Sequence, residues 1–390
     1  MPIGPGSTIG VIGGGQLARM MAIEARRAGY RIAILDPDPT GPAGQLADLR
    51  IEGAWDDVGP AQELARASDV VTIDTEHVPA DLLEAVSAHA PVRPSAAVLR
   101  AVQDRRAQRR FLAENRLPQV RHALLSRPAD LPAAVERVGF PALLKTSRGG
   151  YDGRGQVRVA AAEDLPKAWK EIGEAPAVLE TFVPFAKEIS VLLARTEAGE
   201  IRFHPIAENV HRHQILRTTS VPAEIPSELV ARAEEIGRRI ATALGHVGMM
   251  AVELFVTNDG ELLVNEIAPR VHNSGHFTFG ACATSQFEQH LRAICGLPLG
   301  ETLLLRPAVM LNLLGDLWRP GPPDWTAVLR HPSAHLHLYG KKRPFPGRKM
   351  GHVLVLADTV EEARRTAETI AIDLEGLDES RREGPPGSGT

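Results

Sequence analysis

The sequence predicts an α/β protein of two or three domains, opening on βαβ units with a parallel sheet and closing on a β-rich segment. Three observations carry this: strand and helix patterns alternate through the first hundred residues, a glycine-rich loop joins two strands within 140–159, and an acidic hairpin occupies 248–276. At 390 residues the chain is long enough for several hydrophobic cores. Its 44 Lys and Arg against 48 Asp and Glu give a net charge of −4, and no basic block is interleaved with aromatics. Nucleic acid is therefore not an expected partner. No apolar run approaches the ~18 residues of a membrane span, and no charged segment precedes an apolar one as in a signal peptide. Cys282 and Cys295 lack metal spacing and a disulfide framework, and read as small buried hydrophobes. A soluble cytoplasmic enzyme is the expectation.

Thr8–Ile12 reads as a short buried strand, Gly13-Gly14-Gly15 as a tight turn and Gln16–Ala28 as a helix; Arg31–Asp36 and Val70–Asp74 read as further strands. The stretch from Gly13 to Ala18 fits G-x-G-x-x-G/A, and Asp36 lies near the acidic position about 20 residues on. A nicotinamide-dependent dehydrogenase thus stays open. The physics of the motif, backbone N–H groups and a helix N-terminus facing an anion, suits any phosphate. Pro94–Asn115 reads as one long helix carrying Arg100, Arg105, Arg106, Arg109 and Arg110, most of them on a solvated face. A domain boundary is set near residue 112.

In Phe140–Val159 a strand ending at Lys145 enters a loop with glycines at 149, 150, 153 and 155, and a second strand returns. Such a loop can approach a ligand closely and cradle phosphate oxygens with backbone N–H groups. Lys145 adds a point charge and Arg154 a fork for phosphate or carboxylate. No G-K-[ST] follows and no helix opens there, so this is not a Walker A loop. Ala177–Val183 and Glu188–Leu193 read as strands. Their Glu180 and Glu188 are placed either for ribose hydroxyls and an adenine amino group or simply for solvent. His211, His213 and Arg217 fall in a loop after a third strand, where three basic groups could touch phosphates. Ser227–Leu244 is an amphipathic packing helix.

The hairpin pairs MMAVELFV with ELLVNEIA across Asp259-Gly260, read as a two-residue type I′ turn with positive φ at both central residues. That turn places Asn258 opposite Glu261 and Glu253 opposite Glu266. Opposed side chains lie ~4.5–5.5 Å apart at Cβ, and like charges there destabilise the pair. A cation is expected between them: two protein oxygens, phosphate oxygens and water describe Mg²⁺ on a nucleotide. An edge hairpin with solvated glutamates is the alternative. Arg270, His272, Asn273 and Ser274 follow in a loop, and Thr284–Gly296 is a packing helix. Ala308–Leu314, His335–Tyr339 and His352–Leu356 read as a last sheet. Between them cluster Lys341, Lys342, Arg343, Arg348 and Lys349. Arg381–Thr390 is a low-complexity tail, expected to be disordered.

GGYDGRGQ, the Glu253/Glu266 hairpin and NEIAPRVHNSGH together resemble the ATP-grasp superfamily and, within it, the N5-carboxyaminoimidazole ribonucleotide synthetases. The likeness runs from GGGQLARM to PGRKMGH at 346–352. Any single motif would leave sibling ligases open, such as biotin carboxylase or the formate-dependent glycinamide ribonucleotide transformylase. The resemblance implies a Rossmann-like first domain (1–111), a two-part α+β ATP-grasp domain clasping ATP between sheets (112–305), a small β-rich C-terminal domain (306–378) and a disordered tail (379–390). It implies ATP contacts at Arg105, Lys145, Gly150, Tyr151, Asp152, Gly153, Arg154, Gly155, Gln156, Glu180, Thr181, Phe182, Val183, Glu188, His211, Asn265 and Glu266. Glu253 and Glu266 would hold Mg²⁺. Ala268 stands where many superfamily members have a third ligand, an asparagine, so water would replace it. Ribonucleotide contacts are implied at Gly15, Gln16, Leu17, Glu76, Tyr151, Arg154, His272, Asn273 and Ser274, with Lys341, Arg348 and Lys349 toward the 5′-phosphate. Asp152 is implied to manage the amine proton, Arg154 or Arg270 to hold a carboxylate, and Lys341 completes the catalytic set. Ala18 replaces a glycine more usual in the family. The implied activity is carboxylation of aminoimidazole ribonucleotide by ATP and bicarbonate through carboxyphosphate, in purine biosynthesis, by a homodimer.

Overall fold

The computed structural model describes residues 2–150, 155–319 and 321–382. Among them the strands form three sheets. In the first, β1 (Thr8–Ile12), β2 (Arg31–Asp36), β3 (Leu49–Glu52) and β4 (Val70–Ile73) run parallel in the order β3-β2-β1-β4. Every residue of β1 is buried, as a parallel strand covered on both faces requires. Ile9 and Val11 face α1 (Gln16–Arg27), whereas Ile12, Ala33 and Leu35 face α2 (Val58–Arg66) and α3 (Ala80–Val86). The expected βαβ alternation is present.

The helix expected over Pro94–Asn115 is instead two, α4 (Ala96–Val102) and α5 (Arg105–Glu114). An Asp104 oxygen accepts from the N–H groups of Arg106 and Ala107, starting a new helix. The Gln103 side-chain amide, at the end of α4, donates to the carbonyls of Glu76 and Val78. The boundary expected near 112 falls inside α5, which packs against elements on both sides.

A small antiparallel sheet, order β5-β8-β6-β7, comprises β5 (His122–Leu125), β6 (Ala142–Thr146), β7 (Gln156–Val159) and β8 (Ala177–Thr181). Its own core gathers Leu125, Leu144 and Leu179 against α6 (Leu131–Val138) and α7 (Leu165–Glu171).

The large sheet contains β9 (Phe185–Arg195), β10 (Ile201–Phe203), β11 (Ala207–Arg212), β12 (Ile215–Val221), β13 (Gly248–Thr257) and β14 (Leu262–Ala268). Alternate residues of β9 divide its two faces. Ile189, Val191 and Leu193 pack on α8 (Ser227–Ala243), while Leu192 and Ala194 join a core shared with α1 and α10 (Gln286–Ile294). A short helix, α9 (Thr278–Ala281), precedes α10. The sheet continues without a break into β15 (Ala308–Leu314), β17 (Lys349–Leu356) and β16 (Ala334–Leu338), because β12 pairs with β15 from Thr218↔Leu311 to Val221↔Ala308. The β-rich C-terminal region expected from 306 is present in β15, β16 and β17, which continue the ladder of the large sheet. α11 (Thr326–Leu329) and α12 (Val360–Arg382) complete the chain, and α12 runs past 379, where the sequence placed the start of a disordered tail. Its apolar positions Ile370 and Leu374 pack on the sheet. Residues 383–390 of the expected tail lie outside the described residues.

His211 and Arg217, expected in a loop, are strand residues of the β11–β12 hairpin. Its turn is His213-Gln214, at φ +50° and +66°, so two non-glycine residues supply the positive φ of a tight primed turn. Among the described residues no helix is long and apolar enough to cross a membrane.

Candidate functional site: an acidic hairpin facing a glycine loop

The β13–β14 hairpin positions the acids. Thr257 N–H donates to Glu261 O (2.9 Å) and Gly260 N–H to Thr257 O (3.0 Å), so Asn258, Asp259 and Gly260 form the loop. Gly260 alone of the three has positive φ, at +80°. The expected two-residue turn and the Asn258–Glu261 pair are thus corrected: Thr257 faces Glu261. A three-residue loop closed by a left-handed glycine is the next commonest hairpin connection. Register runs Val256↔Leu262 to Leu254↔Val264, and a bulge at Asn265 then shifts it by one. The two departures cancel, and Glu253 faces Glu266 as the sequence predicts.

The acids sit in unequal surroundings. Glu266 is 38 % exposed and its Oε2 lies 3.2 Å from Arg105 Nη1. Glu253 is 14 % exposed. Burial, then the Glu188 charge, push Glu253 up to about 8; Glu266 adds to the effect, while His211 and Lys349 oppose it. A carboxyl forced toward neutrality by neighbouring carboxylates is a place where a divalent cation fits, because the ion's charge reverses that logic. Among the described residues no three His, Cys, Asp or Glu side chains gather into a metal cage. Two carboxylates completed by phosphate and water oxygens match this donor set.

Across the site, β6 and β7 carry the glycine loop, with Lys145 opposite Gln156. Gly149 and Gly155 hold φ of +75° and +69°, and Arg105 Nη2 donates to Gly150 O at 3.2 Å. Tyr151, Asp152, Gly153 and Arg154 lie outside the described residues. Gln156 meets Gln214 of the β11–β12 turn. Lys145 is buried, with Nζ 2.7 Å from Glu180 Oε2. Burial opposes ionisation of Glu180, yet Arg109 and Lys145 hold it well below the usual carboxylate range. Both Glu180 oxygens face cations of the protein. Thr181, Phe182 and Val183 form the crossing from the small sheet to the large one, and Arg158 stacks over the Phe182 ring. Glu188 is buried with its Oε2 2.9 Å from His211 Nδ1. Burial disfavours the His211 imidazolium, but Glu188 prevails and holds its pKa above the ordinary value.

The first sheet closes the third side. Gly15 and Gln16 are half-buried at the start of α1, Leu17 is buried, and Glu76 is bound by Arg270. Burial opposes ionisation of Glu76, but Arg270 takes it down to about 2. Asp36 Oδ2 accepts from Gly14 N–H at 2.7 Å and from Trp55 Nε1 at 3.3 Å. The acid that a nicotinamide site would turn toward ribose is thus engaged by the protein.

After β14 the loop is more enclosed than expected. His272 Nε2 lies 3.9 Å from Glu253 Oε1, and its Nδ1 meets Ser274 Oγ at 2.8 Å. Asn273 and Ser274 are buried, and Asn273 exchanges two amide hydrogen bonds with Asn312. Lys341 Nζ donates to Lys349 O at 2.7 Å. Lys349 is near enough to act on Glu253, His211 and His272. Arg348 turns its guanidinium over Phe345 and onto Arg343 O. The residue the sequence reading missed is Arg109. It is 3 % exposed, with Nε donating to Glu180 Oε1 at 2.8 Å, Nη1 to Val264 O at 2.9 Å and Nη2 to Asn265 O at 3.0 Å. The available signal was Leu112 three positions on, which puts Arg109 on the inward face of α5.

The chain matches three domain families in order: the ribonucleotide synthetase preATP-grasp domain over 6–103, the ATP-grasp domain over 110–287 and the phosphoribosylaminoimidazole carboxylase C-terminal domain over 308–366. It is 46 % identical over 351 residues to N5-carboxyaminoimidazole ribonucleotide synthase of Brucella melitensis, covering 90 % of this chain and 96 % of the relative. The crystal structure of an N5-carboxyaminoimidazole ribonucleotide synthetase in complex with ADP superposes with a TM-score of 0.90 at 43 % identity, covering 97 % of this chain and 99 % of that one. The Aspergillus clavatus synthase in complex with ADP and 5-aminoimidazole ribonucleotide gives 0.87 at 33 % identity, covering 95 % and 99 %. With this order of domains and this degree of likeness, the chain belongs to the N5-carboxyaminoimidazole ribonucleotide synthase family of ATP-grasp ligases.

Proposed function

We propose that this protein uses ATP and bicarbonate to carboxylate the exocyclic amine of 5-aminoimidazole ribonucleotide, giving N5-carboxyaminoimidazole ribonucleotide, ADP and phosphate in purine biosynthesis. The observation that carries the reading is the facing pair Glu253 and Glu266 on a hairpin opposite Lys145 and the glycine loop. Glu253 and Glu266 would hold Mg²⁺, which when bound neutralises phosphate charge. Lys145 and Arg105 draw the triphosphate across the site, and the 181–183 crossing with Glu188 and His211 receives the nucleoside. A bicarbonate oxygen attacks the γ-phosphorus as the bridging bond to ADP breaks. Such a step asks the protein for positioning and charge neutralisation more than for covalent chemistry. The amine then forms the C–N bond, phosphate leaves, and Asp152 takes the amine proton while Arg270 steadies the carboxylate. The loop over 150–156 excludes water from the labile intermediate. Gly15, Gln16, Glu76 and Lys349 line the ribonucleotide side. We further propose a homodimer working in the cytoplasm, the former read by sedimentation.

Phosphate release tests the reading. It should require ATP, bicarbonate and aminoimidazole ribonucleotide together. Release with glycinamide ribonucleotide and formate instead would move the chain to the sibling transformylase, and NAD(P)H binding without ATP turnover would overturn the ligase reading.

A further inference from the structure

We infer that Arg109 is a positioning residue of the nucleotide site, holding Lys145 and the acidic hairpin in one arrangement without touching a ligand. The inference rests on the ATP-ligase reading above. One guanidinium reaches from α5 to both sheets that flank the site. Its Nε and Nη2 grip Glu180 Oε1 at 2.8 and 2.7 Å, on β8 of the small sheet. Its Nη1 and Nη2 donate to the carbonyls of Val264 and Asn265, on β14 of the large sheet, at 2.9 and 3.0 Å. Those carbonyls belong to the bulge that turns Glu266 toward Glu253. Glu180 Oε2, in turn, holds Lys145 Nζ at 2.7 Å.

The charge arithmetic explains why a second cation is needed. Glu180 and Lys145 alone would neutralise one another, and the ammonium would have little left for a phosphate. With Arg109 on the other oxygen, two positive charges share one negative, and Lys145 keeps a surplus. Arg109, Glu180 and Lys145 are all at least nine-tenths buried, so water screens these interactions poorly. Only a planar fork with several N–H groups can serve a carboxylate and two backbone carbonyls at once; the single ammonium of lysine cannot. Arg109→Lys therefore keeps the positive charge and releases the two sheets from each other.

Calorimetric binding of ATP to the full-length protein, with EDTA and then with Mg²⁺, tests this. With EDTA, Arg109→Lys should weaken ATP binding about tenfold or more because Glu180, and with it Lys145, is no longer held in place, with a larger loss when Mg²⁺ is present because the hairpin is also loosened. Affinity for aminoimidazole ribonucleotide should stay within about twofold, which a general loss of structure would not allow. Adding Glu180→Gln to Arg109→Lys should bring little further loss, since both act through Lys145. ATP affinity within twofold of the parent, or losses that simply add, would overturn the inference. If Arg109→Lys does not fold, Arg109→Gln, which keeps an amide donor but loses the charge and the fork, carries the test with the same expected weakening of ATP binding and unchanged affinity for aminoimidazole ribonucleotide. Failure of the parent itself to bind ATP would instead sink the ligase reading.

Discussion

Glu266 and Glu253 stand opposite one another, yet Glu266 is half open and paired with Arg105, while Glu253 is enclosed and pushed toward neutrality. Replacing Glu266 by glutamine keeps the shape and removes the charge. Turnover should fall by at least about 100-fold, the scale of losing one preorganised electrostatic contact, with circular dichroism unchanged; near-normal phosphate release would refute the pairing. These two acids were legible in the sequence because Asp-Gly between apolar runs announces a hairpin and identity alone gives their charge. Arg109 was not legible. Leu112 three positions on marks its inward face, but its role depends on where Glu180 and Val264 arrive from more than 70 residues away. Asn273 shows the converse. Its place in a polar loop suggested a ligand contact, and the partner that encloses it, Asn312, lies on a strand 39 residues on.

At the scale of elements, the segments the sequence marked, such as β1, β13, α8 and α10, fall within a few residues of their places, since period-2 and period-3.6 apolar patterns are local, whereas α2, α3, α6, α7 and α12 were not marked. The failures came at junctions. The break between α4 and α5 was masked by a helix-like pattern running through it, although an aspartate such as Asp104 inside that pattern is itself a helix-start signal. Asp104→Ala should cost about 1 kcal/mol of helix stability. Because α5 carries both Arg105 and Arg109, the KM for ATP should rise as well. Thermal melting and steady-state kinetics on the same preparation check this, and an unchanged KM would show that the cap serves the fold alone. The β13–β14 turn was misjudged by one residue and the Asn265 bulge was unseen. The functional pairing survived only because the two offsets are equal and opposite.

For the whole molecule, burial of histidine sets the response to acid. His204, His246, His276, His290 and His352 are each 0–1 % exposed. Burial lowers them all, to about 3 for His204 and His290 and about 4 for His246. Unfolded, they would titrate near about 6.5. Below that pH the unfolded chain takes up protons that the folded one refuses, so stability should fall as pH drops from about 6.5 toward 4. Melting temperatures measured from pH 8 to 5 should decline below 6.5, where five buried histidines outweigh the opposing carboxyl of Glu253; a flat profile would contradict the burial. Fold class was legible at this scale from alternation and composition. The single ladder running from β14 to β16 was not, because nothing in β12 or β15 names its partner.

The pairing of β12 with β15 decides which parts share a backbone ladder. Backbone hydrogen bonds weld β15, β17 and β16 to the sheet that carries the acidic hairpin, so Lys349 and Glu253 are parts of one frame. The four-stranded sheet bearing Lys145 has no such weld. Among the described residues it meets the frame through an isolated Gln119–Val264 bridge and through side chains. What keeps the two pieces in register is therefore side-chain grip, with the Arg109 fork reaching Glu180 on one and Val264 and Asn265 on the other.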